Sequence, residues 1–230
     1  MNTTAQMPMV IAIDGPAASG KSSTAQWVAE RLGYLHVDSG SLYRALAAAT
    51  LRGGTPVADW TPALLLAQGD RVSIRPGTNA FVTLIDGEAA DEEIRGSAVT
   101  AHVSRAATMP EVRAWVNDRV RRAAETRNVV VDGRDMGTAV FPEAPLKIFL
   151  IADPWERARR RLTQRLSRRP TDAEVAEEVD ALVHRDAKDA TQTVQAKDAI
   201  LVDTTYLTQA EQVERIVALA YAVSHRPDVT

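Results

Sequence analysis

Short apolar runs alternate with longer amphipathic stretches along most of the chain. Val10-Ile11-Ala12-Ile13-Asp14 and the segments 35–37, 129–132, 147–151 and 199–203 read as strands. Residues 21–32 place Ala25, Val28, Ala29 and Leu32 at helical spacing, and Gly33 follows as a stop. A second helix over 41–51 ends at Gly53-Gly54, and Thr61-Pro62 reads as a cap plus first helical position. Thr171-Asp172-Ala173-Glu174 and Thr208-Gln209-Ala210-Glu211 match the capping box, which predicts helix starts near 172 and 209. Strand and helix in alternation predict an α/β fold, a parallel sheet with helices on both faces.

One segment departs from that rhythm. Residues 72–75 and 80–85 look like two strands around the turn cluster Pro76-Gly77-Thr78-Asn79, and Asp86-Gly87 is a second turn signal. Helical stretches follow at about 97–107 and 111–126. The pattern predicts a small α+β insertion between the second and third core strands. It would overhang the carboxyl ends of the sheet, where open α/β sheets bind ligands.

Composition narrows the options. The chain has 230 residues, 45% hydrophobic and 25% charged, enough for one domain with a sizeable core. It has no cysteine, which excludes disulfides, iron–sulfur clusters and thiol catalysis. His36, His102, His184 and His225 are scattered without zinc-ligand spacing and read as ordinary core or surface residues. A net charge of −3 gives no general attraction to nucleic acid. No apolar run reaches membrane-spanning length, and Met1 to Pro8 lacks the basic and apolar regions of a secretory signal. The expectation is a soluble cytoplasmic protein.

The first apolar run leads directly into Gly15-Pro16-Ala17-Ala18-Ser19-Gly20-Lys21-Ser22, the spacing G-x-x-x-x-G-K-S, with Ser23 following inside the helix. Strand, glycine loop and helix in that order form a phosphate-binding loop. Its backbone N–H groups and the helix N-terminus attract a phosphate. Lys21 can reach the β- and γ-phosphates and the Ser22 hydroxyl can ligate Mg²⁺. Three further clusters sit where that sheet edge would lie. Asp38-Ser39-Gly40-Ser41-Leu42-Tyr43-Arg44 follows the second strand, and Arg44 can bind an anion bidentately. Asp132-Gly133-Arg134-Asp135 follows the third strand; Asp132 is placed near the metal and Arg134 is a candidate phosphate clamp. Seven arginines crowd into residues 157–169, after Asp153-Pro154 starts a helix, and Arg157, Arg161 and Arg165 share a face. They read as a solvated basic helix, a nucleic-acid patch or a cover over a transferring phosphate. The absence of interleaved aromatics weighs against nucleic acid.

Together these residues resemble the bacterial type of cytidylate kinase, from about Val10 to about Tyr221. The narrowest motifs are GPAASGKSS at 15–23, DSGSLYR at 38–44, VSRAATMPEVR at 103–113 and DGRDMGTAVFP at 132–142; ERARRR, RDAKD and DAILVDTT add to them. The resemblance implies a P-loop kinase fold with a five-stranded parallel sheet, an insertion in the monophosphate-binding region and an Arg-rich lid. It implies one domain over 1–230, with core about 10–60, 128–155 and 195–224, insertion about 61–127 and lid about 156–194. The activity implied is ATP-dependent, Mg²⁺-assisted phosphorylation of CMP and dCMP to CDP and dCDP, by a monomer. Tyr43, Arg44 and Arg134 would hold the acceptor phosphate. Ser39, Ser104, Arg113 and Asp135 would line the cytosine pocket, and Arg185 and Asp189 would approach the sugar. Lys21, Arg134, Arg157 and Arg161 would carry catalysis, with Ser22 on Mg²⁺ and Asp132 behind it.

The chain departs from the family pattern at one point. After Arg185-Asp186-Ala187-Lys188-Asp189 an arginine is expected, and Gln192 stands there, followed by a shortened connection to Ala196. An arginine contact to phosphate implied by the resemblance is thus missing, and either Lys188, Lys197 or a lid arginine compensates or acceptor affinity is weaker. Other readings are a kinase of the same fold acting on AMP, dTMP or shikimate, and a nucleotide-dependent switch or binding module. The insertion and the DGRD turn disfavour the first. The lack of an N-K-x-D guanine signal removes the GTPase form of the second.

Overall fold

The computed structural model describes residues 8–225. The leader reading of Met1 to Pro8 therefore falls, apart from Pro8, outside the described residues. Five strands, β1 (Val10–Asp14), β2 (Leu35–Asp38), β6 (Val129–Gly133), β7 (Leu146–Ile151) and β8 (Ile200–Asp203), form one sheet in the order β2-β6-β1-β7-β8. Every pair in it is parallel. β1 and β6 are buried along their whole length, which is why both read as apolar runs up to the aspartates near their carboxyl ends, Asp14 and Asp132.

Alternate residues of β1 face opposite layers. Ile11 and Ile13 pack with Val28, Val213 and Ile216 of helices α1 (Lys21–Leu32) and α9 (Gln209–Ser224). Val10 and Ala12 belong to a second core with Leu42 and Leu46 of α2 (Ser39–Arg52) and Val112 and Val116 of α6 (Pro110–Ala124). Both capping boxes are formed, at Thr171 and Thr208.

The predicted insertion is present as α3 (Pro62–Leu66), a sheet of β3 (Val72–Pro76), β4 (Phe81–Ile85) and β5 (Glu88–Ala89), then α4 (Asp91–Arg95), α5 (Ser97–Ala107) and α6. The third strand, β5, has two residues, too few to register as a periodicity. The insertion adheres to the outer edge of the main sheet, where the His36 N–H donates to Asn79 O at 3.0 Å. α2 starts two residues earlier than its apolar spacing suggests. The Asp38 carboxylate accepts from Ser41 N at 3.2 Å, so the last strand residue is itself the cap.

The arginine-rich stretch forms α7 (Pro154–Leu166), paired with α8 (Asp172–Asp189) around a small core of Ala158, Leu162, Val175 and Leu182 that also takes in Ala17. A π-helical turn at Met136–Val140 follows β6 and has no sequence periodicity to announce it. It is held by Asp14, whose Oδ1 and Oδ2 accept from Met136 N at 2.9 Å and Gly137 N at 2.8 Å. The last residue of β1 thus ties the segment after β6 to the start of the glycine loop.

Two expectations follow. Gly15 has φ +152°, and a Cβ there would stand 2.3 Å from Leu150 O in the neighbouring strand. Gly15→Ala should cost about 2 kcal/mol or more, seen as a lower melting temperature. Burial pushes the Asp14 carboxyl up to about 6, against its two N–H donors, with Asp135 adding to the rise and Lys21 opposing it. The unfolded chain releases that proton near 3.8 and the folded chain at about 6. Between these values the folded state holds the extra proton, so stability falls as pH rises through them and is level above. Asp14→Asn lacks that proton. Its stability relative to the parent should rise by about 1–3 kcal/mol from about pH 4 to about pH 7, measured by chemical denaturation. A pH-independent difference would contradict the assignment.

Candidate active site

The glycine loop emerges from the buried end of β1 and closes on α1, whose N-cap Gly20 (φ 88°) offers no side-chain acceptor. α1 also has no acidic residue in its first turn, which suits it to an external anion. Lys21 is buried, and its Nζ donates to Pro16 O at 3.0 Å. Burial lowers its pKa to about 7; Arg134 pushes the same way and Asp132 opposes. Gly15, Pro16 and Ser19 shape the loop, while Ala17, Ala18, Gly20, Lys21, Ser22 and Ser23 border a cavity of about 1200 Å³.

Asp132 also lines this cavity, in direct contact with the loop. Its Oδ2 accepts from Ser22 Oγ at 2.5 Å and its Oδ1 is 2.7 Å from His36 Nε2. Burial works against its charge, yet the His36 and Ser22 bonds and the nearby Lys21 hold its pKa below the usual carboxylate range. For His36 burial opposes the charged form, but Asp132 outweighs it and the pKa rises. Of the four histidines read as ordinary core or surface residues, His36 is indeed buried and does not line the cavity, but it is bonded to Asp132, which does. No spacing announces it. In the β2–β6 register Val37 opposes Val131, so His36 and Asp132 lie on the same face one pleat apart.

At the far end of the cavity Arg113 is held from several sides. Its guanidinium forms an ion pair with Asp135, donates to Ala107 O at 2.9 Å and sits 5.8 Å from the Tyr43 ring centroid. Ser104 lines the wall beside them. Ser39 donates its hydroxyl to the Asp132 carbonyl at 2.8 Å. Gln192 also lines this end, and its Oε1 accepts from Arg113 at 3.2 Å. A second arginine at that position would set cation against cation.

Between the two ends lie Arg44, Arg134, Arg185 and Asp189. Arg44 donates to Thr100 Oγ1 at 2.9 Å and Ile94 O at 3.2 Å, and burial together with Arg185 lowers its pKa to about 10. Arg134 bridges Gly15 O at 3.3 Å and Asp189 Oδ2 at 3.4 Å. Burial and Arg134 lower the Arg185 pKa. Buried Tyr43 Oη and Arg185 Nε have no hydrogen-bond partner among the described residues, as expected of groups that meet a ligand.

The α7–α8 hairpin contributes differently from its sequence pattern. Arg161 and Arg165 line the cavity, held 3.3 and 3.2 Å from Glu178. Arg157 does not line it, which corrects its placement beside Arg161. It is buried and donates to Ala17 O at 2.8 Å and Asp186 Oδ2 at 2.7 Å, while Asp186 Oδ1 accepts from Ala17 N at 3.2 Å. Arg157 therefore fastens the hairpin to the glycine loop. Sequence reasoning did not single out Arg160, which lines the cavity while donating to Thr204 O and Thr205 O, or Gln209, which accepts from Ser23 Oγ at 3.1 Å. Lys188 and Lys197 are exposed and do not line the cavity; the cation bonded to Gln192 is Arg113.

Comparison with known proteins agrees with this geometry. A family model described as cytidylate kinase matches residues 11–222. A cytidylate kinase of Geobacillus kaustophilus is 42% identical over 214 residues, covering 91% of this chain and 95% of the relative. A cytidylate kinase of Limosilactobacillus reuteri is 39% identical over 210 residues, covering 90% and 92%. Among solved structures, an uncharacterized protein from Eubacterium ventriosum superposes with a TM-score of 0.51 at 12% identity, over 95% of this chain and 99% of that one, a likeness of fold alone. With a glycine loop at one end of the cavity, an Arg113–Asp135 pair at the other and a family match spanning nearly the whole length, the chain belongs to the cytidylate kinase family.

Proposed function

We propose that the protein transfers the γ-phosphoryl group of ATP to CMP and dCMP, producing CDP and dCDP for pyrimidine nucleotide metabolism. The observation that carries the reading is one continuous cavity with a phosphate loop at one end and a carboxylate–guanidinium pair at the other. Such a cavity can hold two nucleotides with their phosphates meeting among Lys21, Arg134, Arg185 and Arg161. In this reading the donor phosphates occupy the loop at Ala17–Ser23, and Tyr43, Arg44 and Arg134 take the acceptor phosphate. Arg185 and Asp189 approach the sugar.

Phosphoryl transfer needs positioning and charge neutralisation more than covalent help from the protein. A phosphate monoester has its second pKa near 6, so its oxygen is already an anionic nucleophile at neutral pH. No general base is required, and Asp135 is assigned to recognition. Cytosine presents an amino donor where uracil presents a carbonyl. Asp135 can accept from that amino group, and Arg113 can donate to N3 or O2. Uracil would leave these groups unpaired or opposed.

The residues fit Mg²⁺. Ser22 and Asp132 present hard oxygen atoms, and among the described residues no cluster of three or more His, Asp or Glu side chains could hold a metal by itself. Such an ion would be held by Ser22 together with the donor phosphates, with Asp132 behind. When bound it supplies positive charge to the β- and γ-phosphate oxygens. Residues about 61–127 form the acceptor segment in this reading, about 156–194 the lid, and the remainder the core. The protein is read as a cytoplasmic monomer; among the described residues no helix is long and apolar enough to cross a membrane.

A coupled assay of ADP formation with CMP, dCMP, UMP and AMP tests the function. CMP and dCMP should be turned over, and a preference for AMP, or ATP binding without any turnover, would refute it. Asp135→Ala should cut the preference for CMP over UMP by about 100-fold. Retained preference with only kcat reduced would move Asp135 from recognition to catalysis. Lys21→Met should lower kcat by about 100-fold or more while the fold persists.

A further inference from the structure

We propose that His36 is a positioning residue for the cation-binding hydroxyl of Ser22, acting through Asp132. The inference rests on the reading of Ser22 as a Mg²⁺ ligand, and it concerns a residue to which no motif assigns a role.

Asp132 joins two side chains from a distant part of the chain, Ser22 and His36, in one hydrogen-bonded series. Ser22 Oγ donates to Asp132 Oδ2 at 2.5 Å, and Asp132 Oδ1 lies 2.7 Å from His36 Nε2. An ionised carboxylate can only accept, so the N–H tautomer of His36 donates to it. The two oxygens of Asp132 are thus occupied by different donors, and the carboxylate plane is set by both. With its proton directed to Asp132, Ser22 Oγ keeps its lone pairs free on the cavity side. That is the state in which a hydroxyl can ligate a cation.

Removing the His36 donor changes this arrangement in two ways. One oxygen of a carboxylate that is 2% exposed would lose its partner, in a site where an unpaired charge is costly. The carboxylate would also be free to rotate away from Ser22. His36 is well placed to prevent both, because its own backbone is held from two sides. β2 pairs with β6, and the His36 N–H donates to Asn79 O of the insertion at 3.0 Å. The insertion, through β2, thereby steadies a group at the donor end of the cavity. Groups that orient a ligand from behind typically affect metal affinity by about 10-fold to 100-fold.

Calorimetric titration of ATP in the presence of Mg²⁺ and in EDTA tests the proposal. The quantity read is the ratio of the two affinities. His36→Leu should lower that ratio by about 10-fold while binding of metal-free ATP changes less than about twofold. His36→Asn, polar but too short to reach Asp132, should do the same and serves if leucine disturbs the fold. His36→Gln, whose side-chain N–H can donate to Asp132, should restore most of the ratio. In a Ser22→Ala background His36→Asn should have no further effect on the ratio, because the hydroxyl it positions is gone. An unchanged ratio, an equal loss with and without Mg²⁺, or a full effect persisting without Ser22 would each overturn the proposal. A parent protein whose ATP affinity is indifferent to Mg²⁺ would instead overturn the metal reading on which the proposal stands.

Discussion

Cations crowded into one cavity set the terms for everything around them. Lys21, Arg44, Arg134 and Arg185 all line the cavity shared by the glycine loop and the Arg113–Asp135 pair. Burial disfavours the charge of Lys21, Arg44 and Arg185, and a neighbouring arginine adds to the cost for each. A fold can sustain such a group only if carboxylates hold it in the resting state and an anion meets it in the working one. Asp132, Asp189 and Glu178 supply the first condition: Asp132 beside Lys21, Asp189 against Arg134 and Glu178 against Arg161 and Arg165. The second is what two nucleotides bring.

That requirement explains several local features. Each balancing carboxylate must be anchored, since a mobile acid would neutralise the wrong partner. Asp132 is anchored by His36 and Ser22, and the turn bearing Arg134 and Asp135 is anchored by Asp14. The α7–α8 hairpin, which carries the outer arginines, is fastened to Ala17 through Arg157 and Asp186. Each anchor crosses between segments far apart in sequence, so the charge layout is a property of the assembled sheet. Gln192 fits the same logic. It replaces an expected cation with a neutral acceptor for Arg113, easing repulsion beside the Arg113–Asp135 pair.

Much of the architecture was legible because the relevant signals are local. Parallel strands buried on both faces are mostly apolar, and β1 and β6 are so up to Asp14 and Asp132 at their carboxyl ends. Capping boxes need only four neighbouring residues, and both formed as read. Elements without a local signal were not legible. β5 is two residues long, and the π-turn at Met136–Val140 depends on Asp14, more than a hundred residues away, for its N–H acceptors. Arginine direction on α7 was also hidden. Arg157 and Arg161 lie one turn apart on the same face of the helix, and only the packing against Ala17 separates a buried fastener from a cavity residue.

By itself the sequence determined that a phosphate loop stands between a buried strand and a helix, because glycine spacing, lysine and serine there act within eight consecutive residues. It also determined most of the segments that form strands and helices, and which motifs tie the chain to its family. Tertiary structure alone decided which charged groups share the cavity and which histidine joins them. His36 and Asp132 are 96 residues apart, and Ser22 and Asp132 are 110 apart. Whether such side chains meet depends on strand register and on the layer each pleat faces. Both are set when distant segments pack together, and neither is written in any one stretch of the chain.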